Sequence, residues 1–531
     1  MRYAAPVGLA LTLACLVGLD LTLPGLGDEG QGERALASVR AMLSGIGHPD
    51  LGATMLRRVA TLAAETTAIA VVGTAMGAVA GLALAVLAAS PCAQRSPSAA
   101  RRTAAEATWL LLDGLRALPD FVWALAVLLV LGPGPITGTV AIAVSVTGIL
   151  GRAFGRLLVA VPPRSVRAIE RLGGSPAATL LYGRLPRVAP AAWSYGLARL
   201  ECSMRNASVI GVVGGGGLGA ELFEELGYGR MDRMATLLLG LLVLTLAADT
   251  GASVLRRRLS AAGVATRTAA LRVALIVVVV ALVPLLPALE TLSVTLSRLD
   301  PRVATQTLSR LLRPDLSVST LREAALGVGP PLALAWLSTL LATSVAFGVL
   351  PWTSSVVRLR ARGPAAATRA AAVLRSWLLR GVALVARGVP EVAWLLLLAA
   401  AMGVGQAAAL LALTLHGAGV LTRLFTEAVD DRFAPRPRER PGLAAGTGWL
   451  VFAALPRLAG TLRMHVALQG ESNLRTAYAL GMLGAGGLGE SFYGAMSFWQ
   501  LERASTLALT MLLVFVGLDR LGRGLGRLLA R

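Results

Sequence analysis

Apolar residues along the chain cluster into windows of about 20 with almost no charge, the length a helix needs to cross a bilayer. The first window runs from Ala4 to Leu26, and others lie near 58–89, 105–132, 135–161, 187–213 and 234–255. After the arginine triplet at 256–258 the series restarts, near 268–290, 325–350, 376–402, 404–426, 457–483 and 503–526. This pattern predicts an all-α polytopic membrane protein with about twelve transmembrane helices. The first window follows only Arg2, and no small-residue cleavage site succeeds it cleanly, so it reads as a retained helix rather than a signal peptide.

The loops between windows set an orientation. Arg95, Arg101 and Arg102 fall in one loop; Arg152, Arg156, Arg164, Arg167, Arg171, Arg184 and Arg187 fall in or beside the next loop on that side. The alternation continues through Arg256 to Arg258 and Arg267, then Arg358, Arg360, Arg362 and Arg369, then Arg432, Arg436, Arg438 and Arg440. The intervening loops are short or mix signs. Positive charge concentrates on the cytoplasmic side, so both termini are expected there. Segments 27–55 and 291–324 then face outward, as short amphipathic helices.

The restart is an internal duplication. The stretch beginning "LPRVAP" at Leu185 aligns without a gap to the stretch beginning "LPRLAG" at Leu455, an offset of 270 residues. Pro186 meets Pro456, Glu201 meets Glu471, Arg205 meets Arg475, and Asp249 meets Asp519. Upstream, "RALPDFVW" (116–123) matches "RGVPEVAW" (387–394) at an offset of 271. With six helices per copy, both copies insert the same way round, as parallel repeats about an axis along the membrane normal. Residues 1–262 form the first unit and 263–531 the second, and the translocation route is expected between the halves.

Composition narrows the chemistry. The chain is 55% hydrophobic and only 15% charged, well below the charge of a soluble protein. Its formal charge of +21 comes from arginines in the cytoplasmic loops; no basic helix or aromatic stacking platform speaks for nucleic acid. There is no lysine, which excludes a Walker A loop and Schiff-base chemistry in this chain. The three cysteines and three histidines are scattered and suggest neither a disulfide framework nor a metal site. His416 lies in an apolar window, where a hydrogen-bonded packing role outweighs a ligand or proton-relay role.

Two glycine runs carry the spacing of a dinucleotide fingerprint: Gly214, Gly216, Gly217 and Gly219, and their counterparts Gly484, Gly486, Gly487 and Gly489. A dinucleotide site needs a preceding strand, a following helix and an acidic residue about 20 positions on. Here an apolar membrane run precedes the glycines and another follows, at the outer face. The glycines are better read as helix ends packed closely at a gate. Just before each run lie Glu201 with Arg205 and Glu471 with Arg475, four apart on one helix face. Ionisable residues in a membrane segment are costly and by default functional. They read either as a neutralised structural pair or as arginines lending positive potential to an anion's route.

The loop at 162–186 reads "PPRSVRAIERLGGSPAATLLYGRLP", with Gly173 thirteen positions before Pro186. It resembles the EAA-x3-G-x9-I-x-L-P loop in membrane subunits of binding-protein-dependent ABC importers. Ala168, Gly173, Leu185 and Pro186 match; Arg167 occupies the Glu position and Ile169 the second Ala. With this loop, "LRALPDFVWALAVLLVLGPGPITG", "ARLECSMRNASVIGVVGGGGLGAEL" and their second-half counterparts resemble the phosphonate-type ABC transporter permease family, here as a tandem fusion. The outward segments 27–55 and 291–324 match that family poorly. The second loop, 431–456, departs from the pattern: Gly446 lies ten rather than thirteen positions before Pro456, which follows Leu455, and prolines interrupt the approach.

The resemblance implies a permease subunit of the bacterial plasma membrane that is not itself an enzyme. The loop at 164–186 would dock on a cytoplasmic ATPase, present in two copies, which would bind ATP and magnesium; no cofactor is expected in this chain. An extracytoplasmic binding protein would deliver the cargo, a phosphonate or a similar small oxyanion such as phosphite or phosphate. Permeases for methionine-like, osmolyte or thiamine-precursor cargo share the same loop and glycine run. A secondary transporter or a membrane-embedded transferase are the alternatives from other classes.

Overall fold

The computed structural model describes residues 12–19, 40, 44–45, 47–90, 98–162, 166, 168–169, 171–260, 264–290, 293, 301–360, 366–433 and 446–529. Among them the regular structure is helical throughout. Contacts gather the chain into two compact units: Gly45–Ser317 with Phe498–Arg531, and Met1–Ser44 with Val318–Ser497. Each holds the central helices of one sequence copy, and they are called here the first-copy and second-copy units.

In the first-copy unit, α1 (Ala53–Ala89) packs along α4 (Pro135–Val159). The contact is built on small residues four apart. A Cβ on Gly73 would stand 2.8 Å from the Thr139 carbonyl oxygen, and one on Gly77 2.7 Å from that of Ala143. Between these helices the chain runs as α2 (Ala99–Ala117) and α3 (Asp120–Leu131), which bend by 93° at Pro119. The Trp123 indole N–H donates to the Leu115 carbonyl across the bend, 3.2 Å away. α5 (Leu185–Ile210), α6 (Gly217–Gly227) and α7 (Met231–Ser260) complete the copy. Buried Ile69, Ile142, Leu150, Leu158 and Ile210 anchor the core. Residues of the second copy also join this unit: the helix Val264–Leu282 packs on α1, and Arg116 lies over the Phe515 ring at 5.7 Å.

The second-copy unit repeats the plan. α8 (Val318–Gly327) and α9 (Gly329–Thr353) correspond to α1; α10 (Ala366–Gly388) and α11 (Glu391–Met402) bend by 92°. α12 (Gln406–Arg432), α13 (Leu455–Leu480) and α14 (Leu488–Ser497) follow. Trp394 donates to Ala386, 3.0 Å away, as Trp123 does to Leu115.

Among the described residues, six helices are long and apolar enough to cross a membrane, or up to eight if each bent pair is one span. The windows at 105–132 and 376–402, each expected as one span, are broken, because Pro119 and Pro390 are extended and precede new helices. The windows at 187–213 and 457–483 become α5 and α13, each 26 residues long, about 39 Å at the helical rise. They carry several arginines and a glutamate, so they are less apolar than a lipid-facing span. In the expected outward segments, Pro301–Leu311 and Val318–Gly327 are helical. Residues 27–39 and most of the window at 4–26 lie outside the described residues.

Candidate functional site

Each unit holds a part-buried carboxylate at the broken helix. Asp120 opens α3, where the bend leaves the first amides of the new helix without intrahelical acceptors. Its carboxylate accepts from the Ser145 hydroxyl on α4, the Asn206 amide on α5, and the Arg199 guanidinium, which lies 3.2 Å away. Ser145 stands ten residues into α4, about 15 Å of rise, or half of a hydrocarbon core roughly 30 Å thick. Arg199 and Asp120 are 12% and 16% exposed, so this is an ion pair removed from bulk water.

The second copy puts different chemistry at matching positions. Glu391 replaces Asp120, His416 replaces Ser145, and Gln469 replaces Arg199. His416 Nε2 lies 3.2 Å from Glu391 Oε1, and its Nδ1 lies 3.2 Å from the Val389 carbonyl oxygen. Gln469 donates to Asn473 at 2.8 Å, and Asn473 donates to Ser338 and Thr339 at 3.0 and 2.9 Å. This site was missed in the sequence, although Asp120 and Glu391 lie inside the duplicated "LPDF" and "VPEV" stretches. Its other members come from helices far along the chain.

The glycine runs take the same backbone path in both copies. Gly214 and Gly484 have φ of +96° and +94°, and Gly216 and Gly486 of +80° and +83°, values that side chains disfavour. Gly217 and Gly487 are also left-handed, at +74° and +76°. Gly219 and Gly489 are helical, but a Cβ there would overlap the carbonyl oxygen of Ser208 or Tyr478 on the preceding helix. No strand precedes either run; each begins within a kinked turn, Gly211–Gly215 or Gly481–Ala485, at the end of α5 or α13. In the first copy the freed amides of α6 are held by α1: Gly217 N–H donates to Glu65 and Leu218 N–H to Thr66, at 2.8 and 2.9 Å.

The charged pairs differ between copies. Arg475 contacts Glu471 at 2.6 Å, one turn away on α13. Glu201 lies 3.6 Å from Arg256 of α7, and Arg205 Nη2 lies 3.8 Å from Cys202 Sγ.

At the opposite end, Gly173 has φ of +77° and ends a short turn, with Gly174 N–H donating to Ile169 at 3.0 Å. Ala168 is exposed beside it, and Arg167 lies outside the described residues. The chain then runs through a π-helical turn, Thr179–Arg184, into Leu185 and Pro186 at the start of α5. Arg184, 5% exposed, donates to the Leu158 carbonyl at 2.9 Å and ties this element to α4. In the second copy Gly446, at φ +63°, opens a short helix, and a π-helical turn, Leu450–Ala454, leads into Leu455 and Pro456. The local geometry is thus retained although the sequence pattern is not. Residues 434–445 lie outside the described residues.

A further duplicated feature lies in the segments that match poorly in sequence. Asp50 Oδ1 accepts from Gly52 N–H and Asp315 Oδ1 from Ser317 N–H, both at 2.9 Å. Thr236 and Thr506 donate to the carbonyls of Asp50 and Asp315, at 2.8 and 2.7 Å. "HPDL" at 48–51 and "RPDL" at 313–316 were the available signal, at an offset of 265 rather than 270. Among the described residues no group of acidic, histidine or cysteine side chains could hold a metal ion.

Residues 81–261 match the family of binding-protein-dependent transport system inner membrane components. The chain is 28% identical over 480 residues to the phosphate-import permease protein PhnE of Mycolicibacterium smegmatis, covering 87% of this chain and 84% of that protein. It is 29% identical over 198 residues to the phosphite transport system permease protein PtxC of Stutzerimonas stutzeri, covering 36% of this chain and 68% of that one. A putative cryptic phosphonate transport system permease protein, PhnE2 of Escherichia coli, is 37% identical over 86 residues, covering 16% of this chain and 70% of its own length. No solved structure matches. Two copies of one helical plan, each with a broken helix and a glycine-bent helix end, accompany these similarities, and the chain belongs to the family of binding-protein-dependent transport system inner membrane components.

Proposed function

We propose that this chain is the membrane permease of an ATP-driven importer for small phosphorus oxyanions, with both halves fused in one polypeptide. The observation that carries the reading is the 480-residue similarity to a phosphate-import permease, which runs through both copies. The names of the other relatives, a phosphite and a phosphonate permease, point to the same class of tetrahedral anion. Direction is inward, from an extracytoplasmic binding protein to the cytoplasm, and both termini lie on the cytoplasmic side.

The Gly173 turn and the Thr179–Arg184 element serve as the ATPase dock of the first half, and the Gly446–Ala454 element as that of the second. ATP and magnesium belong to that partner, present in two copies. The glycine-bent helix ends act at the outer gate. There, left-handed glycines let α6 and α14 turn back tightly on the preceding helices. Arg205 and Arg475 lend positive potential to the anion's route. Alternating access then shifts the two halves between pre-existing states.

ATPase activity of the reconstituted complex tests this reading. A binding protein loaded with phosphate, phosphite or an alkyl phosphonate is expected to stimulate hydrolysis. Stimulation by a methionine-loaded or osmolyte-loaded protein alone would reassign the cargo. The cargo-bearing similarity also covers the second copy, whose loop sequence is irregular, so disabling either dock is expected to lower the stimulated rate.

A further inference from the structure

The Glu391–His416 contact fixes a proton count. A carbonyl oxygen can only accept, so the 3.2 Å contact between His416 Nδ1 and the Val389 oxygen requires the ring proton at Nδ1. A neutral imidazole then presents a bare lone pair at Nε2. Facing that atom at 3.2 Å is a carboxylate oxygen of Glu391. Two acceptors at that distance repel, and a proton on Nε2 or on Oε1 turns the contact into a hydrogen bond. We infer that Glu391 and His416 form a membrane-embedded proton-binding site, holding one proton beyond the neutral imidazole and free carboxylate.

The first copy explains why a proton belongs there. Its carboxylate, Asp120, is balanced by the guanidinium of Arg199, a fixed cation 3.2 Å away. In the second copy Gln469 stands at the position of Arg199 and brings no charge. Without a bound proton the second site would carry one net negative charge in the span, and an unbalanced buried charge is strongly disfavoured. Duplication has thus kept the charge balance of the site while exchanging a fixed cation for a titratable one.

α9, packed on α12, has no ionisable residue and offers Ser338 and Thr339 to the neighbouring Asn473. α13 brings Gln469 and Asn473 to this level; further along it Glu471 and Arg475 pair with each other at 2.6 Å, and Arg457, Arg463, His465 and Tyr478 lie elsewhere on the helix. On α10, Arg375 lies over Trp352, Arg380 is held by Thr353 and Asp430 near the end of α12, and Arg387 precedes the bend by three residues. The Ser355–Arg360 helix and the Gly481–Ala485 turn also meet α12; the first carries Arg358 and Arg360 and the second no charge. On α12 itself, Arg423 and Glu427 pair at 2.7 Å, and Asp430, Asp431 and Arg432 lie at its end.

The test is nuclear magnetic resonance of the full chain in lipid nanodiscs, with 15N in the imidazoles and 13C in the glutamate carboxyls. The protein has only three histidines, so H416Q assigns the ring, and E391Q assigns the carboxyl. At about pH 7.5, above the ordinary histidine range, the pair is expected to show either an imidazolium with a carboxylate or a neutral ring with a protonated carboxyl. Q469R, which restores the fixed cation of the first copy, is expected to displace the extra proton at that pH, leaving a neutral ring beside an ionised carboxyl. E391Q, which keeps the shape and removes the charge, is expected to return the ring to its neutral form at that pH. A neutral ring beside an ionised carboxyl in the unsubstituted protein would overturn the inference, as would signals at that pH unmoved by both substitutions. The readout involves no transport, so it stands or falls separately from the cargo and the ATPase partner.

Discussion

Trp123 and Leu115 are joined by an indole N–H···O=C hydrogen bond of 3.2 Å that spans the 93° bend between α2 and α3. The same bond, Trp394 to Ala386, recurs at the second bend. Pro119 has no N–H to bond the Leu115 carbonyl, and the Trp123 indole satisfies that carbonyl instead. W123F and W394F are each expected to cost about 1 kcal/mol of stability, the net worth of one hydrogen bond. A thermal melt in detergent checks this, and a melt unchanged in both variants would show that the bends are held by packing alone.

Gly219 and Gly489 test the close approach behind the glycine runs. A Cβ at either site would overlap a backbone carbonyl oxygen, which cannot rotate away. G219A and G489A are each expected to lose about 3 kcal/mol or more, at the upper end of overpacking costs. G251A and G517A, where a Cβ meets nothing within 4 Å, are expected to be neutral or slightly stabilising, because alanine favours a helix. Comparing the four melts separates steric demand from a general sensitivity of membrane glycines.

Glu65 caps α6 from another helix. At the offset of 265 that relates Asp50 to Asp315, its place in the second copy is taken by Pro330, which has no side-chain acceptor. E65A is expected to lose about 1 to 2 kcal/mol, as for a lost helix cap, and E65Q much less because its amide oxygen still accepts. Amide hydrogen exchange at Gly217 and Leu218 reads this locally. Equal protection in both variants would mean that the amides find another acceptor.

Arg205 and Arg475 are the residues proposed to favour an anion. R205Q and R475Q are expected to lower uptake about tenfold each, equivalent to roughly 1.4 kcal/mol, with the complex still assembled. Uptake at the unsubstituted rate would make them structural partners of their neighbours, as the 2.6 Å contact of Arg475 with Glu471 also allows.

Much of the fold was legible because bilayer crossing and duplication both leave long-range regularities. The helical windows, the offset of 270 and the glycine runs all follow from composition or repetition. The bends at Pro119 and Pro390 were not read, because each lies within a window taken as one span, although Arg116, Asp120, Arg387 and Glu391 flank them. The polar site was half visible: Asp120 and Glu391 sit in a recognised duplicated stretch, but Ser145, Arg199 and Asn206 lie 25, 79 and 86 residues from Asp120. Only the packing of α3, α4 and α5 brings them together. The Asp50 and Asp315 ties were hidden by a change in loop length, which shifts their offset to 265.

The most direct measurement of the central claim is uptake of radiolabelled phosphate, phosphite and an alkyl phosphonate into proteoliposomes holding this chain with its ATPase and binding protein. The account predicts accumulation that requires ATP inside and the loaded binding protein outside, and that is lowered when the Arg184 tie of the first dock is removed by R184Q. Uptake that persists without ATP, or ATP-driven uptake of methionine or an osmolyte with none of the oxyanions, would contradict it.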